Sequence, residues 1–129
     1  MAQDLLWIDG VVVHGDRRGK ELGFPTANLV LDKETMRPAD GIWAVWVKLA
    51  DSPPVLKGVM HVGPRPTIAG AAPSVEIHIL DMTDTDLYDK PLSFATVKWL
   101  RGVEKFSGLQ ALTDAIAADC DAARTALAE

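Results

Sequence analysis

From residue 6 to residue 100 the chain offers apolar stretches of strand length, and turn residues interrupt each one before a helical period can establish itself. The strand candidates are Leu6 to His14, Ala27 to Leu31, Ile42 to Leu49, Val55 to Val62, Ser74 to Leu80 and Leu92 to Leu100. Between them stand Pro38-Ala39-Asp40-Gly41, the pair Pro53-Pro54, and a stretch rich in proline and glycine from Gly63 to Pro73. Proline presets φ and glycine frees it, so these are points of chain reversal. Parallel neighbours need a crossover of a dozen or more residues, usually a helix, and none is patterned here. The sheet is therefore expected to be mostly antiparallel, as a barrel or a sandwich with one helix packed on it.

That helix occupies the last fifth of the chain. Ser107 is placed to cap it, Gln110 three residues on to close a capping box, and Phe106 to pack back on the first turns. Leu109, Leu112, Ile116, Ala123 and Leu127 form its apolar stripe, with Leu109 and Leu112 expected in the core. Asp114, Asp119, Asp121 and Arg124 fall mostly off that face.

A chain of 129 residues can bury a core without metal or disulfide staples, so one domain over 1–129 is expected, with the barrel at about 5–101 and the helix at about 107–127. Net charge is −5, and the basic residues are scattered except for Arg17, Arg18 and Lys20. Nucleic acid is not an expected partner, because backbone binding needs a basic stripe. The single cysteine, Cys120, lies in the helical pattern and reads as a small buried thiol. The start MAQDLLWIDG has no basic region followed by an apolar run, and no stretch reaches membrane-span length. A cytoplasmic, monomeric protein without a membrane partner is expected.

Three features carry possible chemistry. Gly15, Gly19 and Gly23 recur around Arg17, Arg18 and Lys20, a positive loop whose backbone can approach a phosphate closely. The spacing is not that of a Walker A loop, and Glu21 follows Lys20 where Ser or Thr would be needed. Alone, the loop also reads as a surface hairpin turn. Next, Pro25 pushes Phe24 to extended geometry, so Thr26 and Asn28 enter a strand pointing to one side. A hydroxyl and an amide oxygen side by side suit a Mg²⁺ ion that takes its negative ligands from nucleotide phosphates. They equally suit backbone hydrogen bonds within a turn. Third, in SVEIHILD, Glu76 and His78 share the face opposite Val75, Ile77 and Ile79. Such a carboxylate either meets solvent or looks into a cleft, where it accepts a substrate proton. His78 reads as a surface or rim residue, and three histidines without ligand spacing make no zinc site.

Together these stretches resemble the riboflavin kinase family, whose domain also forms the C-terminal half of bacterial bifunctional FAD synthetases. The likeness spans the chain through GVVVHGDRRGKELGFPTANL, DGIWAVWV, GVMHVGPRPT, VEIHILD, DLYDKPL and LRGVEKFSGLQALTDAIAADCDAAR. It implies a six-stranded antiparallel Greek-key barrel with a C-terminal helix. It implies transfer of the ATP γ-phosphoryl group to the ribityl 5′-hydroxyl of riboflavin, giving FMN and ADP. By matching position, Thr26 and Asn28 hold Mg²⁺ and phosphates, Gly15, Lys20, Gly23 and Pro25 line the nucleotide side, and Glu76 is the catalytic base. Arg101 and Phe106 fall on the flavin side, in an apolar cleft beside the helix.

Departures from the family pattern are His61, where Asn is usual, Ile68, where an aromatic is usual, and Asp89, where Gly is usual. They leave Thr26, Asn28 and Glu76 untouched but bear on ligand preference. Two alternatives therefore stand beside the kinase: a non-catalytic flavin- or nucleotide-binding module, sensor or carrier, and a kinase for a riboflavin analogue. The first strand begins within a few residues of Met1, so no nucleotidyl-transfer domain, and no FAD synthesis, is expected.

Overall fold

A computed structural model describes residues 6–13, 27–31, 37–49, 52–63, 74–81, 90–104 and 106–128. Strands β1 (Ile8–Val13), β2 (Ala27–Leu31), β3 (Gly41–Leu49), β4 (Ser52–Gly63), β5 (Ser74–Ile79) and β6 (Pro91–Arg101) precede helix α1 (Leu109–Ala126). The strands close into a barrel in the order β1-β2-β5-β4-β3-β6, and every neighbouring pair is antiparallel. Strands β3, β4 and β5 run as a meander and β6 returns beside β3, which is the Greek-key arrangement. Closure gives every strand a neighbour on both sides.

Alternation sorts the side chains into two cores. Val12, Ala27, Leu29, Val45, Val47, Met60, Val62, Val75, Ile77, Ile79, Leu92 and Phe94 fill the barrel interior. On the outer wall Ile42, Ala44, Val59 and Leu80 meet Cys120, Ala123 and Leu127 of α1, which packs on β3, β4 and β6. Cys120 is buried as expected, and its desolvation pushes the thiol pKa up, so it behaves as a small apolar side chain.

Three local expectations are corrected. Pro53 and Pro54 do not separate strands, because β4 starts at Ser52 and pairs there with Leu49. Pairing with β5 begins only at Gly58, so on that side the two missing N–H groups interrupt no ladder. The capping box at Ser107 does not form: Gly108 is the N-cap without a side-chain cap bond. Gln110 then falls one position short of a box and donates to Asp114 Oδ1 at 2.8 Å, an i,i+4 pair. Finally, α1 docks through its C-terminal half. Leu109 is 64% exposed and Leu112 only half-buried, while Asp119, expected off the face, is 7% exposed.

One end of the barrel is fixed by paired indoles. Trp43 and Trp99 are cross-strand partners, donating from Nε1 to Ala39 O at 3.0 Å and Asp40 O at 3.2 Å. The next residue, Gly41, has φ of 142°, and a Cβ there would collide with Trp99 Nε1 and lie 2.9 Å from Arg101 O. Gly41→Ala is expected to cost about 2 kcal/mol or more in urea unfolding, from backbone strain plus the clash. A loss below about 0.5 kcal/mol would contradict this geometry.

Candidate active site

Register, which alternation alone does not reveal, assembles the site. Asn28 on β2 stands opposite Glu76 on β5, Glu76 opposite His61 on β4, His61 opposite Ile42 on β3, and Ile42 opposite Arg101 on β6. Direct antiparallel partners share a face, so the five residues form one row across the outer wall. Four strand spacings make it roughly 19 Å along the curved surface. Asn28, Glu76, His61 and Arg101 are half-buried, whereas Ile42 is covered by the helix cluster. The row thus begins on wall that α1 leaves uncovered and runs under the edge of the helix.

At the Asn28 end, Val13 of β1 is the cross-strand partner of Asn28. The connection 14–26 therefore leaves and rejoins the barrel beside Asn28 and Glu76. The expected positions Gly15, Lys20, Gly23, Pro25 and Thr26 belong to this connection and lie outside the described residues, as do Ile68 and Asp89. Among the described residues no group of three or more His, Cys, Asp or Glu could hold a metal ion. The oxygen donors at this end are the amide of Asn28 and the carboxylate of Glu76, both suited to a hard cation.

At the other end, Arg101 is committed to structure. Its Nε and Nη2 donate to Asp119 Oδ1 and Oδ2, each at 2.8 Å, and Nη1 donates to Gly102 O at 3.0 Å. The hydrogen bonds it donates to Asp119 hold the guanidinium pKa above its ordinary value, against the opposing effect of burial. The same guanidinium lies 5.5 Å from the centroid of the Phe106 ring. Arg101 thereby ties β6 to the middle of α1 and sets its guanidinium against Phe106, just before the helix whose first apolar residues, Leu109 and Leu112, are not buried. Asp119 was missed by sequence reasoning because a carboxylate near a helix stripe carries no sign of a partner 18 residues upstream.

The bidentate pair is the helix anchor to remove. Asp119→Ala would strand a partly buried guanidinium and is expected to cost about 2 kcal/mol in urea unfolding, with Asp119→Asn costing less. By contrast Arg124 bonds Asp81 Oδ1 at 2.8 Å on open surface, where a pair contributes little. An Asp119→Ala loss no larger than that of Asp81→Ala would contradict the anchoring role.

The described residues thus form a Greek-key barrel with a polar row on its outer wall, passing beneath the edge of a docked helix. The family model for riboflavin kinase (Flavokinase) matches residues 3–127. The bifunctional riboflavin kinase/FMN adenylyltransferase of Escherichia coli (strain K12) is 41% identical over 113 residues, covering 87% of this chain and 35% of that protein. This chain thus spans about a third of the length of that curated relative. Among solved structures, a Streptococcus pneumoniae protein described as a macrolide-efflux protein superposes with a TM-score of 0.83 at 33% identity, covering 93% of this chain and 38% of that one. Riboflavin kinase from Trypanosoma brucei superposes with a TM-score of 0.70 at 26% identity, covering 92% and 77% respectively. The chain belongs to the riboflavin kinase family. The barrel, its Greek-key order and the C-terminal helix are as the resemblance implied. Among the described residues no helix is long and apolar enough to cross a membrane.

Proposed function

We propose that this chain phosphorylates riboflavin, moving the γ-phosphoryl group of ATP to the ribityl 5′-hydroxyl and releasing FMN and ADP. One observation carries the reading: Asn28 and Glu76 are direct cross-strand partners on the outer wall, at the mouth of the connection that holds Gly15, Lys20 and Thr26. That pairing, with Cα atoms roughly 5 Å apart, supports a reading in which the amide holds phosphate beside a carboxylate that accepts a proton.

In the reaction the hydroxyl O–H breaks as its oxygen bonds to the γ-phosphorus, the proton passes to Glu76, and the bond to the β-phosphate oxygen breaks as ADP leaves. Glu76 needs only to orient the hydroxyl and accept its proton, since phosphoryl transfer depends mainly on alignment and charge neutralisation. Asn28, with Thr26 two residues before it, would hold a Mg²⁺ ion bridged to the phosphates. Two neutral oxygens are enough for an ion that takes its remaining ligands from phosphate and water. When bound, that ion neutralises phosphate charge. Lys20, with Gly15, Gly23 and Pro25, would lie along the nucleotide. The flavin ring would rest against Phe106, Leu109 and Leu112, at the end of α1 that stays exposed. Arg101 orients Phe106 and needs no bond of its own to the flavin. The reading includes the monomeric, cytoplasmic state expected above.

The test is incubation of the purified chain with riboflavin, ATP and Mg²⁺, following ADP release and identifying the flavin product by mass. Stoichiometric FMN and ADP are expected. Riboflavin binding by fluorescence titration without any FMN would replace the kinase with a flavin-binding module. Turnover only with a riboflavin analogue would move the substrate instead.

A further inference from the structure

His61 is the direct partner of Glu76 in the row, on the side toward Arg101 and Phe106. Its Nδ1 is buried and has no hydrogen-bond partner, a state that native proteins rarely leave unexplained. The ring is confined by its surroundings. A Cβ on Gly63 would lie 3.1 Å from His61 Cε1 and 3.1 Å from Val103 Cγ2, so the bare Gly63 makes room for the imidazole between β4 and the chain leaving β6. Gly63 thus keeps the space beside the ring free of a side chain, while one of the ring nitrogens stays unmatched.

We propose that His61 is a ligand-positioning residue, whose Nδ1 forms a hydrogen bond with a hydroxyl of the bound polyol chain between Glu76 and the Phe106 end of the row. This rests on the riboflavin reading above. A ligand with its terminal hydroxyl at Glu76 and its ring at Phe106 must lay its polyol across His61, the residue between them. The torsion about Cβ–Cγ is broad, so a turn of the ring brings Nδ1 from the packed side to the ligand. One hydroxyl acting as donor or acceptor satisfies it in either neutral tautomer. The contact fixes how far the chain slides along the row, and so whether the terminal hydroxyl meets Glu76.

Two probes separate positioning from simple packing: riboflavin, and lumiflavin, the same ring with a methyl group in place of the polyol. Each is titrated by flavin fluorescence against the full chain and its His61→Phe and His61→Asn variants, with thermal unfolding followed in parallel. His61→Phe is expected to weaken riboflavin about five- to tenfold, the loss of one such bond, and to leave lumiflavin within about twofold. His61→Asn, whose amide sits on Cγ where Nδ1 does, is expected to restore most of the riboflavin affinity. A wild-type ratio of riboflavin to lumiflavin affinity in His61→Phe overturns the proposal, and so does equal weakening of both probes. If the unsubstituted chain binds neither flavin, the riboflavin reading itself fails, a result distinct from failure at His61. If His61→Phe does not fold, loss of the riboflavin preference in His61→Leu decides the matter by the same ratio.

Discussion

Glu76→Gln lowers the rate of FMN formation by about a hundredfold or more, while riboflavin affinity stays within about threefold. Glutamine keeps the size and both hydrogen-bonding positions of the side chain but cannot take the proton. The loss falls at the lower end for a general base, because alignment and phosphate neutralisation, which the proposed function assigns to Asn28 and the connection beside it, carry most of a phosphoryl transfer. It should appear in kcat rather than in riboflavin KM, since the missing step occurs only as the hydroxyl attacks. Thermal unfolding serves as a control, as Glu76 points away from the barrel interior that Val75 and Ile77 fill. A Glu76→Gln enzyme within about threefold of the original kcat would remove the base from this position.

Phe94→Ala has the largest expected effect on stability. Phe94 is fully buried at 0% exposure and is the largest of the fully buried side chains. It is also the cross-strand partner of both Ile8 and Val47, which places it where β6 joins β1 to β3 and closes the barrel. Removing the ring leaves a cavity that the closed wall cannot collapse around, at about 3–5 kcal/mol. That is a large fraction of the roughly 5–15 kcal/mol total for a domain. Urea unfolding should show the midpoint fall accordingly, with Phe94→Leu losing much less. A midpoint unchanged by Phe94→Ala would mean that the interior is not packed as described.

Particular residues mark how far the sequence could be read. Val75, Ile77 and Ile79 against Glu76 and His78 reveal which side chains face inward, because a strand's period of two is local. For the same reason eleven of the twelve strand bounds fall within two residues of their expected places, with Ala27, Leu31, Leu49 and Ser74 on them, and the start of β4 at Ser52 is the exception. Pairing is not local. Nothing in the spacing of Asn28, Glu76, His61, Ile42 and Arg101 announces that they are successive partners, because register depends on the whole sheet. The likeness in motifs brought Asn28 and Glu76 together as a functional pair before the register did, whereas His61 stood out only as a departure from the usual Asn.

The helix shows the opposite error. Its periodicity was legible, but the half that docks was not. Cysteine and alanine at 120 and 123 allow close approach to the wall, and Asp119 is drawn in by Arg101, so the C-terminal half docks. Leu109 and Leu112, stronger apolar signals by residue type, are left exposed and half-buried at the N-terminal end of the helix. Apolar side chains that sequence reasoning assigned to the core are, in the proposed function, the surface that receives the flavin ring.

The most direct test is a crystal structure of the chain with riboflavin and a non-hydrolysable ATP analogue. The terminal ribityl hydroxyl should lie about 2.6–3.2 Å from a Glu76 oxygen. The polyphosphate should lie at Asn28, and the ring should rest against Phe106 with the polyol crossing His61. A flavin bound elsewhere on the barrel, or with its ring at Asn28 and its polyol pointing away from Glu76, would contradict the account.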